Sequence, residues 1–284
     1  MNSREKAEHI FLAGVKGVLP GKLIGDMFSV RGSILKIGYQ SFDLEKIENV
    51  YIMGAGKASA AMGHYVENTR GMRITEGHII TKYDHYCKLN RIKVTEAGHP
   101  LPDQNSFKAT EEILTIADKA TENDLVICLF SGGGSSLMAD CPENTTHEEI
   151  IRLNKLLVHC GADIAEINSV RKHLSKVKGG QLAKHIWPAP SVSLLISDVT
   201  GNKMDIIASG PTVPDNSTFH DAINVIEKYN LAGEVSPGLV EYLHEGVHGS
   251  RPETPKSDDP VFEKQTPNTH KTINKDPHCM NTLS

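Results

Sequence analysis

The chain has 284 residues, 39% of them hydrophobic, and a formal net charge of −5 at pH 7. This length and apolar fraction support one large domain or two ordinary ones with a real core. The acidic balance, without a dense run of lysine and arginine, gives no electrostatic footprint for nucleic acid or for an acidic membrane surface. We therefore expect a globular protein that acts on small molecules, with neither nucleic acid nor membrane as a partner.

The cysteines and the amino-terminal residues indicate the cellular compartment in which the protein is expected. The five cysteines are scattered and none are spaced as CxxC, which argues against a disulfide framework and a structural zinc site. A reducing cytoplasm fits that usage. Residues 1–23 mix charges into an apolar stretch and predict an amphipathic helix rather than a signal peptide. No stretch approaches the roughly 18 apolar residues that a membrane span needs.

Short apolar runs predict four buried strands, at residues 49–53, 77–81, 124–130 and 191–197. Helical patterns lie between and after them, at residues 57–68, 106–121, 147–160, 163–183, 219–229 and 237–245. Strands that alternate with helices imply crossover connections and a mostly parallel sheet. The predicted fold class is therefore α/β, with helices on both faces of the sheet.

Three of the predicted strands end in residues that suggest a ligand site, because ligands of such sheets bind outside the carboxyl ends of the strands. Gly54, Gly56 and Lys57 follow the first strand, and Asp198 follows the fourth. The first group is neither a full GxGxxG nor a Walker A sequence, so a plain strand-to-helix turn with a surface lysine is an equal alternative. Asp198 has the alternative of capping the next turn.

The stretch "SGGGSS" after the third strand is the strongest of these features. Consecutive glycines allow the backbone to approach a ligand, and successive N–H groups before a helix form a nest for an anion. We therefore predict a phosphate or carboxylate cradle, in preference to a merely flexible loop. Its residues are Ser131, Gly132, Gly133, Gly134, Ser135 and Ser136.

The predicted helix at residues 163–183 adds positive charge. Asn168, Arg171 and Ser175 follow one stripe beside an apolar stripe, so the helix would anchor itself and present a cation that clamps a carboxylate or phosphate. The alternative is a solvated basic face. His99, in the loop "EAGHPLPD", is either structural or functional. The other histidines show no spacing typical of a transition-metal site.

Five motifs together resemble the glycerate 2-kinase family whose members end in a MOFRL domain. They occur in matching order, and the likeness runs from the amino-terminal helix to about residue 262: "GAGKAS", "EAGHPLPD", "LFSGGGSSLM", "GADIAEINSVRKHLSKVKGGQLA" and "SDVTGNKMDIIASGPTVPD". The resemblance implies transfer of the γ-phosphoryl group of ATP, with Mg²⁺, to D-glycerate, giving 2-phosphoglycerate in the cytoplasm. It also implies a Rossmann-like domain that faces a smaller carboxyl-terminal domain across the active site.

The resemblance assigns roles to the candidate residues. The lysine of the family's GKA motif maps to Lys57, which with Arg171 we expect to be catalytic. Phosphoryl transfer requires positioning and charge neutralisation, so the "SGGGSS" loop with Gly54 and Gly56 would bind the nucleotide and Asp198 would hold Mg²⁺. Glycerate would be bound by Asn168, Arg171, Ser175 and His99.

The sequence departs from the family in two places. It has Gly201-Asn202 where the family usually has Gly-Asp, which removes a carboxylate near the expected metal. The family's smaller carboxyl-terminal domain is missing, with its active-site arginine, so the chain resembles a truncated copy with impaired turnover. We expect residues 1–250 to form the glycerate-kinase-like domain and residues 251–284 a linker remnant or disordered tail.

Other functions stay open at this point. One is a remnant that binds nucleotide or hydroxy acid without catalysis. Another is an NAD-dependent oxidoreductase, although only Asp84, past the second strand, stands near the position of the acidic residue that such enzymes use. The oligomeric state is open too, and includes a homodimer.

Overall fold

The computed structural model describes residues 2–197, 203–263 and 271–272. The chain begins with helices α1 (Ser3–Gly17) and α2 (Pro20–Gly25). A three-stranded antiparallel sheet follows, made of β1 (Phe28–Arg31), β2 (Ile34–Ile37) and β3 (Gln40–Asp43). The sequence patterns did not predict this small sheet, because its short strands are only partly buried.

The main sheet has the order β6-β5-β4-β7-β8-β9, and its paired strands are all parallel. Its strands are β4 (Val50–Ala55), β5 (Glu76–Lys82), β6 (Ile92–Ala97), β7 (Leu125–Ser131), β8 (Ser191–Ile196) and β9 (Lys271–Thr272). Every residue of β4 and β7 is buried, and two hydrophobic clusters cover the two faces of the sheet. The prediction of an α/β fold with a mostly parallel, Rossmann-like sheet is confirmed.

Helices connect and cover these strands. They are α3 (Ser59–Asn68), α4 (Gln104–Ala117), α5 (Gly134–Leu137), α6 (His147–His159), α7 (Ile164–His173), α8 (Gln181–Ile186), α9 (Phe219–Lys228), α10 (Pro237–Val247) and α11 (Pro260–Glu263). Helices α6, α7, α9 and α10 pack together around a third hydrophobic cluster. Capping boxes at Thr146, Asp163 and Thr218 start three of them.

The strand order reverses its direction at β4. The chain passes from β4 outward to β5 and β6, then returns to β7 on the other side of β4 and continues to β8. The carboxyl ends of β4 and β7 therefore flank the point where ligands bind in open sheets of this kind. The loops after these two strands contain the two predicted glycine motifs.

The prediction of one helix over residues 163–183 is wrong. Helix α7 ends at His173, and a loop leads to the short helix α8. The carboxylate of Asp140 explains the break, because it accepts hydrogen bonds from the hydroxyl of Ser175 (2.6 Å) and from the backbone N–H of Lys176. Ser175 consequently lies just past the helix, although Asn168 and Arg171 are on it.

The division of the chain at residue 250 stays a prediction. Part of the stretch after it contacts the preceding domain. Glu253 Oε2 lies 2.9 Å from His173 Nε2, and the buried Thr254 donates its hydroxyl to Asp215 (3.0 Å). Within the described ranges, none of the helices combines the length and the apolar composition that crossing a bilayer requires.

Candidate active site

Hydrogen bonds join the loop after β4 to the end of β7 and the loop that follows it. The backbone N–H of Lys57 donates to the carbonyl of Gly132 at 3.0 Å. The N–H of Ala58 donates to Ser131 Oγ at 2.9 Å. Helix α3 therefore begins directly against the triple-glycine loop, and the two predicted motifs form one structure.

Gly54 and Gly56 allow this close approach of backbone to backbone. A Cβ atom on Gly54 would lie 2.0 Å from the carbonyl oxygen of Leu129 on the neighbouring strand. A Cβ atom on Gly56, whose φ is +146°, would lie 2.1 Å from Ser131 Oγ. No side chain fits at either position. The contacts of these two glycines are with the protein itself, so their observed role is to hold the two loops together.

Gly133 lies at the tip of the loop and brings two predicted site residues together. Its φ of +86° is in the left-handed region, and a Cβ atom there would lie 2.7 Å from Cδ2 of His99 and 3.4 Å from Cε of Lys57. His99 enters from the loop after β6, which is separated from β7 by two strands of the sheet. Three separate loops thus meet at one point. Two of them follow strands whose ends were predicted to converge, and the third follows β6; the third predicted strand end, with Asp198, lies outside the described residues.

The glycine loop offers a hydrogen-bond donor. Among the contacts of the described residues, the backbone N–H group of Gly133 donates to no carbonyl and no side chain. An unpaired N–H group that lies beside a lysine and a histidine favours an anion.

The three serines of the loop differ in what their hydroxyls do. Ser131 is buried and holds the start of α3 through Ala58 and Ser59. Ser136 donates to the carbonyl of Gly133 at 3.2 Å and closes the turn. Ser135 contacts the hydroxyl of Ser209 at 2.7 Å. The side chains of this loop therefore stabilise its shape, and its backbone supplies the free donor.

A small pocket lies beside the loop and contains Arg171. Ser135, Ser136, Asn154, Arg171 and Ser175 are among its lining residues. The guanidinium donates through Nε to Asn154 Oδ1 at 2.6 Å. Burial lowers the pKa of Arg171 to about 10, with no carboxylate among the described residues to compensate it. Arg171 is still a cation at neutral pH, and a partly buried cation without a counter-charge favours an anionic ligand.

Asp140 and Lys178 form the floor of the same pocket. Both are buried, and Lys178 Nζ lies 3.6 Å from Asp140 Oδ1 and 2.7 Å from the carbonyl of Met138. Burial lowers the pKa of Lys178 and the charge of Asp140 opposes that effect. With Arg171 included, the charged side chains of the pocket sum to one positive charge, which again suits an acid group.

The remaining predicted residues are placed as follows. Asn168 is buried on α7 and accepts a hydrogen bond from Ser209 at 2.9 Å. Ser175 lines the pocket but is bound to Asp140. Asp198, the predicted magnesium ligand, and Asn202 lie outside the described residues. The described part of the chain holds no group of three or more His, Cys, Asp or Glu side chains suited to a metal ion.

Sequence reasoning missed three residues of this region: Asp140, Asn154 and Ser209. Asn154 lies on α6 and Asp140 follows α5, and neither occurs in a motif that places it next to Arg171. Ser209 falls within the quoted motif "SDVTGNKMDIIASGPTVPD", and its place in that motif was the available indication.

Comparison with known proteins shows the family. Residues 6–244 match the family model described as "Domain of unknown function (DUF4147)". The chain belongs to this family. It is 39% identical over 260 residues to a glycerate 2-kinase from Pyrococcus horikoshii, a match that covers 92% of this chain and 58% of that protein. The resemblance to glycerate 2-kinases is thereby confirmed.

Two further matches bear on function and fold. A relative from Agrobacterium vitis, provisionally named a hydroxypyruvate reductase, is 44% identical over 180 residues, or 63% of this chain and 41% of that protein. A crystal structure of a Pyrococcus horikoshii protein superimposes with a TM-score of 0.83 at 38% identity, over 92% of this chain and 59% of that one. This chain thus spans about half the length of the relatives that it matches.

Proposed function

We propose that this chain binds ATP and D-glycerate and transfers a phosphoryl group between them, giving 2-phosphoglycerate. The observation that carries the proposal is the meeting of Lys57, His99 and the triple-glycine loop at the carboxyl ends of β4 and β7. The name of the Pyrococcus relative, glycerate 2-kinase, supports it.

The loop and Lys57 would bind the phosphates. The N–H group of Gly133 and the ammonium group of Lys57 supply a donor and positive charge where negative charge develops. Asp198 stays the predicted ligand of Mg²⁺, which would neutralise negative charge on the phosphates when bound. In the transfer, the glycerate oxygen forms a bond to the γ-phosphorus. The bond to the bridging oxygen breaks with its electron pair going to ADP, and the hydroxyl proton is released.

Arg171 would bind the carboxylate of glycerate. Its guanidinium lines a pocket that also includes Ser135 and Ser136 of the glycine loop, so an acid bound there places its hydroxyl groups near the nucleotide. Holding the two reactants side by side is, together with charge stabilisation, the main contribution that a protein makes to this reaction. His99 would contact the phosphates or the acid from the opposite side of Gly133.

A second candidate is a chain that binds the same ligands without turnover. A third is an oxidoreductase, for which the name given to the Agrobacterium relative is the supporting observation. Asp84, the acidic residue nearest the expected place, lies in the turn after β5 with a φ of +67°.

One set of experiments separates these candidates. The full chain is titrated with ATP–Mg²⁺ and with D-glycerate, and 2-phosphoglycerate is measured in a coupled assay. The control variant is Lys46→Ala, since Lys46 is an exposed lysine of the β3–β4 connection. The kinase is supported if Lys57→Ala abolishes product formation and Lys46→Ala does not. Binding without product supports the second candidate, and a change in nicotinamide fluorescence on titration supports the third. No binding of either ligand contradicts the proposal.

A homodimer and a cytoplasmic location remain part of the proposal, and light scattering of the purified chain tests the first. A dimer mass supports it and a monomer mass contradicts it.

A further inference from the structure

We infer that Ser209 is a positioning residue that makes the Ser135 hydroxyl an acceptor, so that the pocket selects acids carrying a hydroxyl group at C2. The inference rests on the proposed function and names the feature of the substrate that the pocket would recognise. It starts from a chain of three polar side chains, Ser135, Ser209 and Asn168, that joins the glycine loop to helix α7.

The direction of the hydrogen bonds in this chain follows from counting protons. Ser209 has one hydroxyl proton, and it donates that proton to Asn168 Oδ1 at 2.9 Å. The contact of 2.7 Å between Ser135 Oγ and Ser209 Oγ also needs a proton, which must then come from Ser135. Ser135 has no second proton. Towards the pocket it therefore presents only lone pairs, which accept a hydrogen bond and repel an anionic oxygen.

Ser135 lines the same pocket as Arg171 and Lys178. The enclosed space is on the order of one or two water molecules, so a carboxylate-sized group enters rather than a nucleotide. An acid held by Arg171 meets an acceptor at Ser135, and the hydroxyl group next to the carboxylate carries the proton that this acceptor needs. An acid without that hydroxyl leaves the lone pairs of Ser135 desolvated and unpaired.

The backbone around Ser209 shows that its position is tightly determined. Ala208, Ser209 and Gly210 have consecutive positive φ values of 51°, 61° and 62°. Two backbone hydrogen bonds hold this turn. The N–H of Gly179 donates to the carbonyl of Ser209 (2.9 Å), and the N–H of Gly180 donates to the carbonyl of Gly210 (2.8 Å). Non-glycine residues in this region cost about 1–3 kcal/mol each and persist where the surrounding structure fixes them.

Asn168 is the other fixed end of the chain. It is 3% exposed, and its Nδ2 has no hydrogen-bond partner among the described residues. A buried amide nitrogen without an acceptor is unfavourable for folding. Within the described residues, the bond from Ser209 is therefore the side-chain hydrogen bond that Asn168 makes.

The test compares two acids that differ at C2. Dissociation constants of D-glycerate and 3-hydroxypropionate are measured by calorimetric titration of the full chain without nucleotide. We expect the wild-type chain to bind D-glycerate about tenfold more tightly, the value of one hydrogen bond. In Ser135→Ala the ratio falls to about one. In Ser209→Ala the ratio of the two dissociation constants falls at least threefold, because the Ser135 hydroxyl is then free to rotate. The affinity for 3-hydroxypropionate stays within about twofold of the wild-type value.

Ser193→Ala is the matched control. Ser193 is equally buried and shares a hydroxyl pair with Thr212 (2.8 Å) on β8, away from the pocket lining, so its loss leaves the ratio unchanged. If Ser209 had a merely structural role, Ser209→Ala would weaken the binding of both acids by the same factor. That outcome overturns the inference. A wild-type chain that does not prefer D-glycerate also overturns it, because Ser135 would then be donating its proton towards the pocket.

Failure of the proposed function is distinguishable. Phosphoryl transfer is assayed separately with ATP: a preserved preference without any transfer contradicts the kinase and supports this inference. Transfer without the preference contradicts this inference alone.

Discussion

The side chain of Lys57 passes over the backbone of Gly133, so that a Cβ atom there would lie 3.4 Å from the lysine Cε. His99 closes the other side of the same glycine, with Nε2 2.8 Å from that position. The absent side chain of Gly133 is therefore what lets a cation and an imidazole lie this close to the tip of the loop. Any residue larger than glycine would have to displace one of them.

Gly133→Ala is expected to weaken nucleotide binding far more than it weakens the fold. Alanine at a φ of +86° costs about 1–2 kcal/mol of backbone strain, and its Cβ atom additionally displaces His99. We expect the affinity for ADP to fall at least tenfold, since one charge-assisted contact to a phosphate contributes about 1.5–3 kcal/mol. Calorimetric titration measures the affinity and urea unfolding measures the strain.

Gly161→Ala is the control that separates backbone strain from the displacement of His99. Gly161 has nearly the same φ, +87°, but a Cβ atom there meets nothing within 4 Å. It should destabilise the chain about as much as strain alone predicts and leave ADP affinity unchanged. Equal loss of affinity in the two variants would show that the space over Gly133 has no role in binding.

Lys172→Met is expected to destabilise the chain by about 3–5 kcal/mol. Lys172 Nζ lies 2.9 Å from Asp215 Oδ1, and the two side chains are only 6% and 1% exposed. Removing the lysine leaves a buried carboxylate without its counter-charge. The exposed pair of Lys119 and Glu76, 2.8 Å apart, gives the control: Lys119→Met should cost no more than about 1 kcal/mol. Similar costs in urea unfolding would contradict the buried-pair account.

The stability of the chain should fall as the pH drops from about 6.5 to about 4 through His78. Burial lowers the pKa of His78 to about 4, although the nearby Glu112 opposes that shift and Lys93 adds to it. In the unfolded chain the ring gains a proton at about pH 6.5. Below that pH the unfolded state is therefore favoured, and the loss is complete near the folded pKa, at up to about 3 kcal/mol.

His78→Gln removes this titration and should flatten the profile between pH 6.5 and pH 4. Urea unfolding at pH 7.5, 5.5 and 4.5 measures it, with His64→Gln, an exposed histidine of α3, as the control. Parallel profiles of wild type and His78→Gln would show that His78 is not the titrating group.

A second pH effect is expected at lower pH from Glu253. Burial raises the pKa of this carboxyl group, but hydrogen bonds from His173 and from the N–H of Phe219 outweigh burial and hold the pKa at about 2. Because the unfolded value is about 4.3, Glu253 stabilises the fold above that pH, and the stabilisation is lost as the pH falls towards 2. The difference in unfolding midpoint between wild type and Glu253→Gln should shrink over this range. A constant difference would exclude the ionic contribution.

Much of the fold followed from local pattern. The runs at 124–130 and 191–197 predicted strands that the structure places within one or two residues, because a strand covered on both faces must be apolar throughout. The strand β6 (Ile92–Ala97) was missed: only its two ends are buried, and at the sheet's edge its charged residues conceal the pattern. The break after His173 was missed since it depends on Asp140, which is 35 residues away from Ser175.

The sequence by itself determined the α/β class, the glycines at the strand ends and the identity of the charged residues near them, since each depends on neighbours in the chain. The tertiary structure alone decided which of these residues meet. Lys57, His99 and Gly133 come from three loops, and Ser135, Ser209 and Asn168 from three further positions, joined across up to 74 residues. The physical reason is that strand order and hydrogen-bond direction are settled by packing between distant segments, which no local periodicity records.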